Sequence, residues 1–266
     1  MSTSRQQKLR LADKAIRAEF VMSYLSATSN LQPHSPNEEA TMAKIEQALS
    51  ISKDNFEKVD CANSQTFPKH FMVNSKDGIS IGTCTGTVHA SPEELLAFLY
   101  LTNTHEARDS HIAANGPDSS KYPNKTIHVV NDHHNINYSC RKLPPPLKPR
   151  DWLTRNIIQR VDANTIKNLA TSINDDDPDL PPSFTKTTMT KIIRGDISVM
   201  HKYERLPHNQ TRFTLRQKVD IKGSVPKKIA NMGMSSALDT VYRAYKYFKR
   251  DEEIDELEVS LNEMMI

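Results

Sequence analysis

Apolar residues recur at steps of three and four over the first stretch of the chain: Leu9, Ala12, Ile16, Phe20 and Tyr24. That spacing lines one side of a helix and predicts an amphipathic helix with a face to bury. After Pro33, Ser35-Pro36-Asn37-Glu38 combines an N-cap serine, a proline at the first helical position and a glutamate three residues after the cap; Met42, Ile45 and Leu49 follow as a second stripe. The first 52 residues therefore read as two helices. The period then shortens to two. Phe56 to Cys61, Lys69 to Ser75 and Ile79 to Ala90 read as strands, the last two joined by a hairpin turn at "SKDG". Ser91-Pro92-Glu93-Glu94 repeats the helix cap, with Leu95, Leu96, Phe98 and Leu99 behind it. Residues 102–124 are polar and broken by Gly116, Pro117 and Pro123, which predicts a long irregular insertion.

Further strands are predicted at Thr126 to Val130, Asn135 to Cys140, Asp151 to Val161, Thr165 to Ser172, Thr187 to Glu204 and Thr211 to Ile221. Past Gly223, the positions of Val225, Ile229, Met232, Leu238, Val241, Tyr245 and Phe248 predict one unbroken helix of about 25 residues. Helices, then many strands, then one long helix is an α+β pattern, and without β-α-β alternation a dinucleotide fold is not expected. Alternation also sorts the faces. Phe213, Leu215, Gln217, Val219 and Ile221 share the side of the last strand that must meet the helix, which leaves Gln217 as a polar group in an apolar row. Its amide either grips a ligand, water or protein partner, or reaches solvent at the end of the sheet. Trp152, Thr154, Asn156 and Ile158 likewise share a face.

A chain of 266 residues with 37% hydrophobic content suits one large domain with appendages. Its net charge of +3 hides an asymmetry, because residues 251–266 carry Asp251, Glu252, Glu253, Asp255, Glu256, Glu258 and Glu263 and no Lys or Arg. The rest holds about +10, which fits attraction to an anionic surface but lacks the density of a nucleic-acid binder. Cys61, Cys84 and Cys140 are odd in number and widely spaced, so neither a disulfide framework nor a zinc knuckle is implied and a reducing cytoplasm suits them. No apolar run approaches transmembrane length and the start lacks a secretory signal, so the sequons at Asn124, Asn137 and Asn209 are expected to be idle. Residues Ser2 to Phe20 are amphipathic and basic in the manner of a mitochondrial presequence, but Asp13 and Glu19 argue against that role.

No catalytic constellation stands out: there is no G-x-S-x-G, phosphate loop or H-E-x-x-H. His128, His133 and His134 in "HVVNDHHNIN" would supply metal ligands with Asp132, but adjacent strand residues point to opposite faces, and the stretch reads as a hairpin turn first. "NDDDPDLPP", with Asp175 to Asp177, reads as a solvated, proline-stiffened loop rather than a cation site. No cofactor and no metal are expected.

"LPPPLKPRDW" (Leu143 to Trp152) followed by "IIRGDISVMHKYERLPHNQTRFTLRQKVDIKGSVPKKIAN" (Ile192 to Asn231) resembles the START lipid-transfer domain. The likeness is best over residues 143–248 and plausible from residue 56; the first 52 residues and the acidic tail lie outside it. It implies a helix-grip fold, in which an antiparallel sheet curls around the last helix and leaves a lipid-sized tunnel. Gly223 would turn the corner into that helix, Pro226 would sit in its first turn, and Lys227 and Lys228 would be either tolerated surface charge or a membrane contact. Arg141 to Pro149 matches the family's lid loop.

Sterol-binding members bury one acidic and one basic residue in the tunnel; here the matching positions are Asn137 and Asn156, which implies a neutral polar grip, with Asn168 nearby. The tunnel wall implied by the likeness comprises Asn137, Trp152, Asn156, Phe213, Leu215, Gln217, Met234, Leu238, Val241 and Tyr245. The expected organisation is a helical extension (1–52), a lipid-binding domain (53–250) and an acidic tail (251–266). The expected function is non-enzymatic binding or transfer of one lipid (sterol, phospholipid or sphingolipid) by a cytoplasmic protein with transient membrane-surface contact and no nucleic-acid partner. The alternative is a regulatory or protein-interaction module whose tunnel has closed. A minor third reading is an enzyme of the related cyclase or hydratase type using Asp151 or a histidine.

Overall fold

A computed structural model of the chain describes residues 2–28, 33–50, 57–59, 70–74, 79–116, 118–182, 184 and 192–249. The elements run α1 (Ser2–Thr28), α2 (Pro36–Leu49), β1 (Glu57–Val59), β2 (His70–Asn74), β3 (Ser80–Val88), α3 (Pro92–Tyr100), α4 (His105–Asn115), β4 (Asn124–Asn131), β5 (His134–Arg141), β6 (Arg150–Arg160), β7 (Thr165–Ser172), β8 (Ile193–Arg194), β9 (Asp196–Leu206), β10 (Gln210–Asp220) and α5 (Lys227–Leu238). A last helix, α6, occupies residues 240–249. The ten strands form one sheet in the order β1-β2-β3-β10-β9-β7-β6-β5-β4, with β8 beside the start of β6. Every pairing along that path is antiparallel. The α+β helix-grip architecture is therefore present, with α5 and α6 on the inner face of the sheet.

Both predicted caps are formed. Ser35 Oγ accepts the Glu38 amide while Glu38 Oε2 accepts the Ser35 amide at 2.8 Å, and Ser91 and Glu94 repeat the exchange at the start of α3. The predicted stripe of α2 (Met42, Ile45, Leu49) lands on Ile157 and Leu169 of the outer face. Helix α1 behaves differently. Its most buried described residues include two charged ones, Asp13 and Arg17. The Asp13 carboxylate accepts the His105 and Glu106 amides at 2.8 and 2.9 Å, and Arg17 donates to the Tyr247 hydroxyl at 2.8 Å. One face of α1 thus ties α4 to α6.

Several expectations are corrected. Residues 102–124 are not irregular, since α4 occupies much of that span: the Thr104 hydroxyl caps it and Asp13 satisfies its first amides from across the fold. The C-terminal helix is bent into α5 and α6 at Asp239, just after the Ser235-Ser236 pair. Paired small polar residues are common kink sites, and aspartate favours the position before a helix start. Pro226 precedes α5 instead of lying in its first turn. Of the strand expected over Thr187 to Glu204, residues 187–191 lie outside the described residues, and the remainder breaks at Gly195, where an added Cβ would lie 2.7 Å from Trp152 Nε1. His133 and His134 do not diverge, because His133 sits in the turn before β5, and both reach Glu38 at 3.4 and 2.9 Å. The acidic loop is docked as well as wet: Arg155 binds Asp177 at 2.8 Å and Asp179 at 2.6 Å, and Arg194 binds Asp175 at 2.9 Å. The "SKDG" turn, Cys61, the side chains of Lys227 and Lys228 and the acidic tail lie outside the described residues.

The corner between β10 and α5 positions everything that follows. Lys222 and Gly223 both take positive φ, 52° and 73°, and reverse the chain. Arg150, at the end of the proline loop and 2% exposed, closes this corner from beneath. Its guanidinium donates to the carbonyls of Ile221 (2.6 Å), Lys222 (3.0 Å) and Lys148 (2.5 Å). Next to it Asp151 takes a two-pronged contact from Arg194, at 2.9 and 3.0 Å. Gly82 of β3 then lets α5 lie close, since a Cβ there would be 2.8 Å from Met234 Sδ and 2.9 Å from Leu238 Cδ1. Replacing Arg150 with Leu strands three carbonyls. The expected loss is on the order of 3–5 kcal/mol, read as a lower urea midpoint with an unchanged slope; an unchanged midpoint would mean that the corner holds without its clamp.

Candidate functional site

Between the inner face and helices α4, α5 and α6 lies a cavity of about 1000 Å³, at the large end of the range for ligand sites. Register explains its floor. Asn156, Ala170, Val199 and Gln217 pair in sequence across β6, β7, β9 and β10, so all four side chains rise from one transverse row, and all line the cavity. Thr154 and Val219 line it from the next row toward the proline loop, and Trp152 from beyond that. His201 lines it from the row on the other side, paired directly with Asn168 and Leu215. The roof includes Met234 and Ala237 of α5, Ala107 and His111 of α4, and Phe98 and Leu99 of α3; Leu143 of the proline loop closes one side.

The polar groups of the floor carry no formal charge. Gln217 is 4% exposed, and its amide nitrogen has the Met234 sulfur at 3.1 Å as its hydrogen-bond partner. The Asn156 amide makes two long contacts of 3.4 Å to Thr154. His201 is half-buried with its Nδ1 shielded from solvent; desolvation holds the imidazole neutral and lowers its pKa to about 4. Its Nδ1, Asn168 Oδ1, Asn137 Oδ1 and Trp152 Nε1 are buried polar atoms without a hydrogen-bond partner among the described residues. Such atoms are costly to bury unpaired, at about 1–3 kcal/mol each. Those facing the cavity can be satisfied by a hydroxyl, an ester carbonyl or water within it.

Cations gather at the rim. Arg141, at the end of β5, reaches Ser236 of α5 at 3.3 Å, and Arg243 of α6 contacts Ser110 of α4 and Thr240 at 3.0 Å. Burial, and then the charge of Arg243, lowers the pKa of Arg141. These contacts join β5 to α5 and α6 to α4 by polar side-chain bridges.

Of the residues implied by the START likeness, Trp152, Asn156, Gln217 and Met234 line the cavity. Six others do not. Phe213, Leu215, Leu238 and Val241 are buried in the closed part of the core with Tyr203, Tyr247 and Phe248, and Tyr245 packs against that cluster. Asn137 shares the row of Thr154 but stops short of the cavity, toward the β4 edge. Strand alternation selects the face on which the cavity lies but does not say where along it the aromatic packing ends and the space begins. Two contributors escaped the sequence reading. His201 follows Ile197 and Val199 at alternate positions of β9, a polar residue in an apolar row that could have been read as Gln217 was. The α4 wall had no comparable signal, because "HEARDSHIAAN" has almost no apolar stripe.

No family model matches the sequence, and no curated protein sequence matches it. Solved structures do. Human StAR-related lipid transfer protein 5 superposes with a TM-score of 0.60 at 17% identity, covering 80% of this chain and 95% of its own. Human STARD10 gives 0.55 at 16% identity, with 84% of each chain covered. The lipid transfer and protein localization domain of human StarD13 (DLC2) gives 0.54 at 11%, covering 82% and 98%. The protein therefore has the START fold.

A desolvated neutral histidine leaves a mark on stability. The unfolded chain takes up a proton on His201 near pH 6.5 while the folded chain resists until about pH 4, so stability is full above 6.5 and falls with acid through that window. At pH 4.5 the loss amounts to roughly 2–3 kcal/mol. His201→Leu should flatten this part of the pH dependence of thermal unfolding. Part of the slope that remains belongs to His34 and His134, which burial shifts in the same direction, and near pH 4 to carboxylates held low by their partners, Glu38 among them. An identical pH profile in the variant would show that His201 is solvated.

Proposed function

We propose that the protein binds a single lipid in this cavity and transfers it between membranes without covalent chemistry. One observation carries the reading: a cavity of about 1000 Å³ whose floor mixes apolar side chains with buried, uncharged and under-satisfied polar groups, in a fold whose solved examples include a protein named for lipid transfer. An apolar lipid body is stabilised there by about 25 cal/mol for each Å² taken from water, from which the entropy of immobilising it must be subtracted. The polar row of Asn156 and Gln217, with His201 beside it, holds a hydroxyl or ester oxygen of that lipid. Neutral polar groups on the floor favour sterols, diacyl lipids or sphingolipids that present such a group inward, while the charged side chains of the lining, Arg141 and Arg243 among them, stand at the rim and not in the floor row.

Exchange takes place during transient contact with a membrane surface, from the cytoplasm, with the proline loop and the Arg141 and Arg243 bridges moving apart to admit the lipid. No helix among the described residues is long and apolar enough to cross a membrane. An open cavity of this size speaks against the alternative of a regulatory module with a vestigial tunnel.

The chain's only tryptophan, Trp152, lines the cavity and supplies the test. Full-length protein is mixed with liposomes containing a sterol, a phosphatidylcholine or a ceramide, each in plain and brominated form. The brominated form of the bound lipid should quench Trp152, and the plain form should shift its emission to shorter wavelength. Asn156→Leu should weaken that binding by roughly 1–3 kcal/mol, the scale of a lost buried polar partner. Lipid retained without quenching would place the ligand elsewhere. A panel negative throughout, with the fold intact, would remove lipid binding as the function.

A further inference from the structure

On the outer face of the sheet, across it from the cavity floor, the start of α2 meets the β4–β5 turn through three potential metal ligands. His34 Nδ1, Glu38 Oε2 and His133 Nε2 all lie within 4.8 Å of one another. Glu38 Oε2 is 3.4 Å from His133 Nε2 and 3.9 Å from His34 Nδ1, and the two imidazoles meet edge to face with centroids 4.4 Å apart. Those spacings are long for hydrogen bonds. They suit ligands that share an ion: bonds of about 2.0–2.1 Å at tetrahedral angles put neighbouring donors roughly 3.3 Å apart.

A second observation is independent of the spacing. His34 Nδ1 is a buried atom with no hydrogen-bond partner among the described residues, and it faces this carboxylate. A buried imidazole nitrogen in that condition lacks exactly what an ion would supply.

The surrounding residues orient the donors as metal sites require. Glu38 Oε1 is occupied by the Asn131 amide at 3.1 Å and by His134 Nδ1 at 2.9 Å, which fixes the carboxylate and leaves Oε2 for the ion. Asn131 also accepts the His133 backbone amide at 3.0 Å through its Oδ1 and sets the turn. Oε2 keeps the amide of Ser35 at 2.8 Å, so the helix cap and the ion use the same oxygen without conflict. Two of the three ligands are almost fully buried, and His34, with 20% of its side chain exposed, forms the open side.

We propose that His34, Glu38 and His133 form a binding site for a divalent transition ion of the zinc type, with water as the fourth ligand, which clamps the N-terminal helices to the β4–β5 hairpin. Two imidazoles and one carboxylate match zinc better than calcium or magnesium, which prefer oxygen alone. The clamp joins residues about a hundred positions apart in the chain and anchors the layer that covers the outer face, leaving the cavity side unchanged.

The test uses full-length protein stripped with EDTA and dialysed, then titrated calorimetrically with Zn²⁺ at neutral pH. One saturable equivalent should bind. His34→Ala and His133→Ala should each weaken binding by at least about tenfold, while His128→Ala, on the same hairpin, should leave it unchanged. Zinc should raise the Tm of the wild type and not that of His34→Ala. His34 lies at the edge of the site, so its variant decides the matter even if His133→Ala does not fold. Absence of a saturable equivalent, or equal binding by wild type and His34→Ala, would overturn the site.

Discussion

The Arg150 guanidinium, buried beneath the β10–α5 corner, is the contact on which the rest of the inner architecture depends. A charged group this deep is tolerated only if its donors are met, and here they are met by carbonyls of Lys148, Ile221 and Lys222 instead of a carboxylate. The same side chain therefore ends the proline loop, starts β6 and fixes the direction in which α5 leaves the sheet. Gly223 supplies the positive φ that the reversal needs, and its position 3.7 Å from Arg150 Nη2, measured at the Cβ that an alanine would add, shows how closely corner and clamp are fitted. Asp151 and Trp152 extend the device. One is anchored by Arg194, and the other lies against Gly195 and lines the cavity. Three consecutive residues, Arg150 to Trp152, thus link corner, sheet and site.

With α5 held in that direction, the space beneath it is set by side-chain size. Gly82 brings α5 down on β3, and Tyr203, Phe213, Tyr247 and Phe248 fill one end of the inner face. Toward the proline loop the row changes to Asn156, Ala170, Val199 and Gln217, and a cavity opens. Two of its polar atoms, Trp152 Nε1 and His201 Nδ1, would be a liability in a plain core, because neither has a hydrogen-bond partner among the described residues. They become an asset once a ligand with a matching oxygen is bound. The wall opposite, α4, has little apolar surface of its own and is kept in place by Asp13 of α1, so the N-terminal helices contribute to the site without lining it.

What could be read in the chain and what could not divides along the range of the interaction. Capping boxes at Ser35 and Ser91, the alternation of β6 and β10 and the glycine corner at 223 are local, and each appears in the structure. Helix α4 was illegible because what stabilises its first turn comes from a residue about ninety positions earlier. The buried seam of α1 was misjudged for a related reason: Asp13 and Arg17 are ordinary surface residues until α4 and Tyr247 arrive to pair with them. At the cavity, alternation put Gln217 on the face that lines it and grouped it with Phe213 and Leu215, around which aromatic rings from distant elements close the space, while Asn156 came from the START likeness. The bend at Asp239 was hidden by a stripe of apolar residues that continues across it, since periodicity records which side is buried and not whether the axis is straight.

The central claim is that the space under α5 is a lipid site rather than slack in the core. Ala170, in the middle of the floor and 8% exposed, offers a direct way to abolish that space. Native mass spectrometry of full-length protein after exposure to mixed-lipid vesicles should show one lipid-mass adduct per chain, whereas a folded Ala170→Phe variant, verified by circular dichroism, should show none. An adduct of equal abundance in the filled variant, or a wild-type protein that never carries lipid, would contradict the account.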